Sequence, residues 1–399
     1  MDEVFLALRP TSPIRVGTTR VTGAFLDTGY YIPGSVLRGA LAEWMLRTGR
    51  ASGILPLVNR MRFGNLFPSP LSQIRSLPFP MSAVGCKLSR GFRCAPCGSE
   101  EVAGHGIRDT LVIRLAYVEL ERLGARFPVP MQLRCTHSGP EGKKCAARME
   151  RVGGFYARMS DGWCWITGSR LIQTKVAISR RRRAAQEGLL YRVVALRSQG
   201  FFVGRVWVQN RDDIQSLEEA VRECGIGSLT TRGYGRAEIR AVEIRPPSVL
   251  ERIRAFNQVL RQVWEELADL ARQTGSEVPD RPSATYFTVD LLSPAVLHDS
   301  RQLPTLKLEV SLGGQRLEPV LWLTQAEEVG GWSTAWGLPK PTSLAAAMGS
   351  VYVYRTRQSP EEVAPALAQL EERGVGDRTD EGLGEILICH PFHEQVMPA

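Results

Sequence analysis

The strongest constraint on this chain is a glycine pattern that occurs twice. Gly225, Gly227, Gly233 and Gly235 in GIGSLTTRGYGRAEI recur as Gly374, Gly376, Gly382 and Gly384 in GVGDRTDEGLGEI, at a constant offset of 149 residues. Upstream, GFFVGRVWV from Gly200 aligns without gaps with GSVYVYRTR from Gly349. Between these runs and the loops lie DDIQSLEEAVREC and PEEVAPALAQLEER, both with helical apolar spacing. Each copy therefore reads strand, helix, glycine loop, strand. An alternating apolar run ended by a proline turn stands ahead of each: VFLALRPTSPIRV near the start and YFTVDLLSPAVL from Tyr286. Two such units predict an α+β chain of two tandem ferredoxin-like (RRM-like) domains.

The join is marked. Residues 245–247, RPP, stop the first unit, and Ser248 with Glu251 makes a capping box. Val249, Ile253, Phe256, Leu260, Val263, Leu267 and Leu270 then share one helical face, which ends at TGSEVPDRPS. The expected division is 1–247 for the first domain, 248–279 for a connecting helix and linker, and 280–399 for the second domain. Residues 50–175, rich in Pro, Gly and Arg, read as an irregular insertion in the first.

The formal net charge is +9, and only six of the 50 basic residues are lysines. Arginine offers a planar fork for phosphate and stacks on bases, which suits RNA; a GC-rich genome gives the same bias. No apolar run approaches the ~18–20 residues of a membrane span. The acidic start MDEVFLALRP does not read as a signal peptide, so a cytoplasmic location is expected.

The glycine loops run from helix to strand, the reverse of a Walker loop, and no G-x-x-x-x-G-K-[ST] occurs. Glycine lets backbone N–H groups approach phosphate. In the first copy Gly227, Ser228, Thr230, Thr231, Arg232, Gly233, Tyr234, Gly235 and Arg236 make a candidate RNA contact. The second copy holds Asp377, Asp380 and Glu381 with Arg378 as its only base, and is poor for polyanions. In YYIPGSVLRGALAEWML, a helix N-terminus at Gly34 and Ser35 with Arg38 one turn in is a further anion site. Without a binding role, these segments read as a turn and a capped core helix.

Cys94-x2-Cys97 and Cys135-x9-Cys145 flank a strand-like run, a pairing zinc commonly takes. The expectation is a structural zinc on these four, with Cys86 able to replace one and His105 or His137 competing. Cys164, Cys224 and Cys389 read as core.

IPGSVLRGAL combined with GSLTTRGYGRAEI resembles the RAMP superfamily of CRISPR-associated proteins, built of RRM-like domains with a glycine-rich loop. VGCKLSRGF (84–92), GHGIRDTL (104–111), GGFYAR (153–158) and ISRRRRAAQEGLLY (178–191) resemble the RAMP subunit of type III-D effectors at the 5′-handle end of the guide. The resemblance implies a non-catalytic protein that binds CRISPR RNA. Its partners would be other RAMP backbone subunits, the large polymerase-like subunit and, indirectly, target RNA. It also implies that Arg180, Arg181, Arg182 and Arg183 sit on a hairpin-like excursion able to reach RNA phosphates. Some RAMP proteins cut repeat RNA without metal, and His105 has Asp109 four residues on; a metal-independent endoribonuclease is the alternative.

Overall fold

The computed structural model describes residues 1–17, 25–93, 104–128, 131–138, 143–160, 162–333 and 337–395. The chain opens with β1 (Asp2–Pro10), α1 (Gly34–Arg47), β2 (Met61–Phe63) and β3 (Phe67–Ser69). Next come β4 (Ala83–Cys86), β5 (Ile107–Asp109), α2 (Leu111–Arg122) and β6 (Met149–Arg151). A long hairpin, β7 (Arg170–Ser179) and β8 (Ala184–Leu196), precedes β9 (Phe201–Val208), α3 (Asp212–Cys224) and β10 (Ala237–Val242). The main later elements are α4 (Val249–Gln273), β11 (Thr285–Leu291), β12 (Leu321–Leu323), β13 (Val351–Thr356), α5 (Pro360–Arg373), β14 (Ile386–Ile388) and α6 (Phe392–Gln395).

The architecture is α+β, and its two main sheets are antiparallel. The first main sheet runs β10-β1-β9-β2, with β3 also pairing β9; the second runs β12-β13-β11-β14. Read from the ends that carry the last strand, both sheets have the order fourth, first, third, second. Every pairing within them is antiparallel. Residues 61–69, expected inside the insertion, instead supply the second strand of the first sheet by pairing with β9. Their apolar positions Met61, Phe63, Leu66 and Phe67 are buried, which Pro and Gly nearby had obscured in the sequence.

α1 packs beside α3 over the first sheet, with Leu37, Leu41, Trp44, Leu217 and Val221 in one core. The second core differs in construction: α4, ahead of its sheet, packs with α5. The Ser248 capping box starts it as the sequence predicts, with Ser248 Oγ accepting from Glu251 N at 3.2 Å. Its buried face includes Ile253, Phe256, Leu260 and Val263, then turns onto Trp264, Ala268 and Ala271, leaving Leu270 exposed. The turn occurs because α2, from the insertion, packs along α4 and shares that core. Among the described residues no helix is long and apolar enough to cross a membrane.

Candidate nucleic-acid interface and metal cluster

Both glycine loops have one backbone shape. All eight glycines have positive φ, between 61° and 90°, and Leu229 and Arg378 occupy the left-handed region at equivalent places. Ile226 N donates to Gly235 O at 2.8 Å, and Val375 N to Gly384 O at 3.0 Å. A Cβ on Gly227 would stand 2.4 Å from Arg15 O, and one on Gly376 would stand 2.3 Å from Val296 O. Gly227→Ala therefore meets two penalties: about 1–2 kcal/mol for a side chain at positive φ, and displacement of the Arg15 carbonyl. Its thermal midpoint should drop by several degrees, whereas Gly39→Ala, in open space on α1, should not lower it. Equal midpoints for wild type and Gly227→Ala would count against this account of the loop.

Side chains divide the two loops. In the first, Gly227, Thr231, Arg232, Gly233 and Arg236 are exposed, Ser228 and Thr230 partly so, and Gly235 is buried. Tyr234 is expected to touch RNA, but it is only 4% exposed. It packs beneath the β7–β8 hairpin, its hydroxyl donating to Gln173 and Lys175 lying 5.7 Å from its ring. Arg232 donates to Tyr191 Oη at 3.2 Å, a second brace between loop and hairpin. Arg180, Arg181, Arg182 and Arg183 are exposed in the turn at the hairpin tip, with Ser179 O accepting from Arg183 N at 2.8 Å. Behind the loop lies a cleft of about 410 Å³ lined by Thr11, Arg47, Arg222, Thr230 and Arg236 among others.

The second loop is engaged within the chain. Gly382 O accepts from Asn65 Nδ2 at 2.6 Å, and Asn65 Oδ1 accepts from Gly34 N at 3.1 Å. Arg38 pairs with Asp380 at 2.9 Å, and Lys340 with Glu381 at 2.7 Å. The helix start predicted to bind an external anion thus already faces carboxylates of this chain. Gly34 is buried, Ser35 makes no cap hydrogen bond, and Asn65 takes that part. Of the candidate RNA contacts, Gly34 and Arg38 belong to this internal contact.

A buried ionic cluster backs it. Arg205 donates to Glu385 at 2.9 Å, Glu371 at 3.1 Å and Glu3 at 2.9 Å. Arg75 reaches Glu385 at 2.6 Å and Arg252 reaches Glu371 at 2.8 Å. Asn65 N also donates to Glu385, at 3.0 Å.

A family model for CRISPR-associated protein (Cas_Cmr3) matches residues 173–391, more than half of the chain. The chain belongs to this CRISPR-associated family. The RAMP resemblance carried by IPGSVLRGAL and the glycine loop is borne out at that level. Among solved structures it is similar to a chain of the Type III-B Cmr-beta complex bound to cognate target RNA, at 12% identity over 88% of this chain and 86% of that chain, TM-score 0.38. The complex with cognate target RNA and AMPPnP in state 1 gives 10%, 94%, 90% and 0.41. A chain of the Csm3-Csm4 subcomplex of the type III-A CRISPR-Cas interference complex gives 13%, 88%, 92% and 0.34. No curated protein matches the sequence.

The insertion gathers Cys86, His105, Cys135 and Cys145, with one ligand atom from each lying within 4.8 Å of the others. Cys86 Sγ and Cys145 Sγ are 3.7 Å apart, and Cys135 Sγ is 3.6 Å from His105 Nδ1. The cluster suits a metal ion. Of the four cysteines expected to bind zinc, Cys135 and Cys145 lie in this cluster beside Cys86 and His105, while Cys94 and Cys97 lie outside the described residues. His137 stacks on His105 with centroids 4.0 Å apart. Of the cysteines read as core, Cys224 and Cys389 are buried and Cys164 is half-buried.

Asp109 serves a different histidine from the one next to it in sequence. His393 lies between two carboxylates, Nδ1 3.0 Å from Asp109 and Nε2 2.8 Å from Asp290. Burial opposes charge on this ring, but Asp290 and Asp109 outweigh it and raise its pKa to about 10. Next to it, burial pushes His390 down to about 3. Sequence reasoning passed over His393, Asn65 and Glu385 because their partners are 31 to 320 residues away.

Proposed function

We propose that the chain is a non-catalytic RNA-binding subunit of a type III CRISPR effector complex that holds the 5′ handle of CRISPR RNA and caps the protein filament. On this reading the two main sheets with their helices are tandem ferredoxin-like domains, bounded near 247 and 280. The first glycine loop and the arginine-tipped hairpin form the RNA surface. The observation that carries the reading is the contrast between the loops. One backbone shape presents Thr231, Arg232 and Arg236 to solvent in the first copy, while the second spends its carboxylates on Arg38 and Lys340. Arg232, Arg236 and Arg180 to Arg183 provide forks for phosphate, with Gly227 and Thr230 beside them in the loop.

The buried His393–Asp109 pair, with side chains 0% and 3% exposed, is out of reach of a polymer and is not an acid–base pair for RNA cleavage. Zinc is the metal proposed for the Cys86, His105, Cys135 and Cys145 cluster, as a structural ion. In a tetrahedral site, Zn–S bonds of ~2.3 Å and Zn–N bonds of ~2.0–2.1 Å set ligand atoms about 3.5–3.8 Å apart. The two separations above fall in that range.

RNA recovered with the full chain and its co-expressed effector operon should share one 5′ handle. Binding of that RNA should weaken with salt, and replacing Arg180, Arg181, Arg182 and Arg183 with alanine should reduce the log–log salt slope by about 2–3, at ~0.7 per lost phosphate contact on a single strand. Handle-free RNA in the pull-down, or an unchanged slope with Arg232→Ala/Arg236→Ala also silent, would sink the reading. Cleavage of repeat RNA at a fixed site in EDTA would replace it with the endoribonuclease.

A further inference from the structure

We infer that zinc at Cys86, His105, Cys135 and Cys145 fixes Asp109 in place and so closes a clasp on the C-terminal segment, coupling the insertion to the second sheet. This rests on the proposal that the cluster holds zinc. β4, β5 and β6 form one small sheet in the order β5-β4-β6. Its strands are three or four residues long, too short to be stable by pairing alone. Each strand is tied to a ligand. Cys86 is the last residue of β4, His105 lies two residues before β5, and Cys145 lies four before β6. Cys135 is knitted to the approach to β6, its N donating to Ala147 O at 2.9 Å and its O accepting from Ala146 N at 3.0 Å.

The same sheet holds the end of the chain. Asp109 closes β5, four residues beyond His105, and its Oδ2 meets His393, which reaches on to Asp290 of β11. Phe392 fills a buried cluster with Phe79, Ala83, Ile107, Val152 and Tyr156, of which Ala83 lies on β4 and Ile107 on β5. Its ring is 5.5 Å from Phe79 and 5.0 Å from Tyr156. Two residues of the apolar socket for Phe392, Ala83 and Ile107, and the carboxylate for His393 are therefore carried on strands that end on a candidate ligand, Cys86, or start two residues after one, His105. Binding free energy at such a site becomes folding free energy of the segment that carries the ligands. Linkage makes the effect reciprocal, so a weakened clasp must also weaken zinc binding.

The test uses the full-length protein. Zinc content is measured by elemental analysis, and amide hydrogen exchange is followed by mass spectrometry before and after a chelator strips the metal. Coupling predicts that 83–86, 107–109 and 390–395 lose protection together. Continued protection of 390–395 while 83–86 and 107–109 open would overturn it. Should stripping unfold the whole chain, His393→Gln decides. Zinc should then pass to a competing chelator at least ~5-fold more readily than from wild type, and an unchanged transfer would overturn the coupling. Absence of bound zinc removes the metal reading itself, a failure seen before any exchange is measured. Cys145→Ser should lose the metal and Cys94→Ser should keep it; the reverse would return the site to the Cys94–Cys97 pair.

Discussion

Replacing Glu385 with alanine should cost about 3–5 kcal/mol of stability, the usual effect of removing one partner from a buried ion pair. Glu385 is 0% exposed and receives Arg75 at 2.6 Å, Arg205 at 2.9 Å and the N–H of Asn65 at 3.0 Å. Without the carboxylate, two guanidiniums stay in the interior with less than full compensation, because Arg205 keeps Glu371 and Glu3 while Arg75 has no other carboxylate partner among the described residues. Glu385→Gln should be nearly as severe, since shape is retained but charge is not. Urea unfolding at neutral pH measures the loss. Glu361→Ala removes a surface pair whose side chains are 57% and 52% exposed, and should be close to neutral. A Glu385 variant as mild as that one would show that the cluster is not held as described. The pH sign is also set. Burial pushes the Glu385 carboxyl up, but Arg75 and Arg205 outweigh it and its pKa is lowered. Its contribution is thus present above the unfolded carboxylate pKa, ~4.3, and is lost as pH falls through the lower folded value.

The second large effect lies at alkaline pH. With the folded pKa of His393 at about 10 and the unfolded value near ~6.5, its contribution is complete below ~6.5 and disappears as pH rises through about 10. The loss should amount to about 3–5 kcal/mol, the scale of uncoupling a buried charge. Glu394 works in the same direction, since burial raises it to about 7, so the proton it carries is released as pH passes neutrality. His390 works the other way. Its neutral ring, lowered to about 3, favours the fold above ~6.5 and penalises it as pH falls toward 3. Stability followed by urea unfolding from pH 6 to 10 should decline in wild type and be flatter in His393→Gln, which starts lower. Parallel curves would mean that the imidazolium does not bridge Asp109 and Asp290.

Much of the fold was legible because it was written in local patterns. The 149-residue repeat, the helix spacing and the Ser248–Glu251 box are all read within a few residues, and each appears in the structure. The parts that escaped are set by distant partners. Asn65 gives no local sign that it will cap Gly34 and hold Gly382, and Tyr234 reads as a base-stacking ring until the hairpin covers it. The candidate metal cluster was half legible for the same reason: positions 86, 105, 135 and 145 follow no short spacing and meet only through the sheet of β4, β5 and β6. Arg38 illustrates the limit of a motif. A basic residue one turn into a helix is an anion site by sequence, but here the anions are Asp380 and Glu381 of the same chain.

The two glycine loops separate shape from chemistry. Left-handed glycines at matching positions, joined by Leu229 and Arg378, set the backbone, while the side chains between the glycines, SLTTR in one copy and DRTDE in the other, differ in charge on that one geometry. A duplicated loop of this design can reverse its charge by ordinary substitutions without passing through an unfolded ancestor. In this chain one copy serves as an internal rivet while its twin presents an outward-facing, cationic surface.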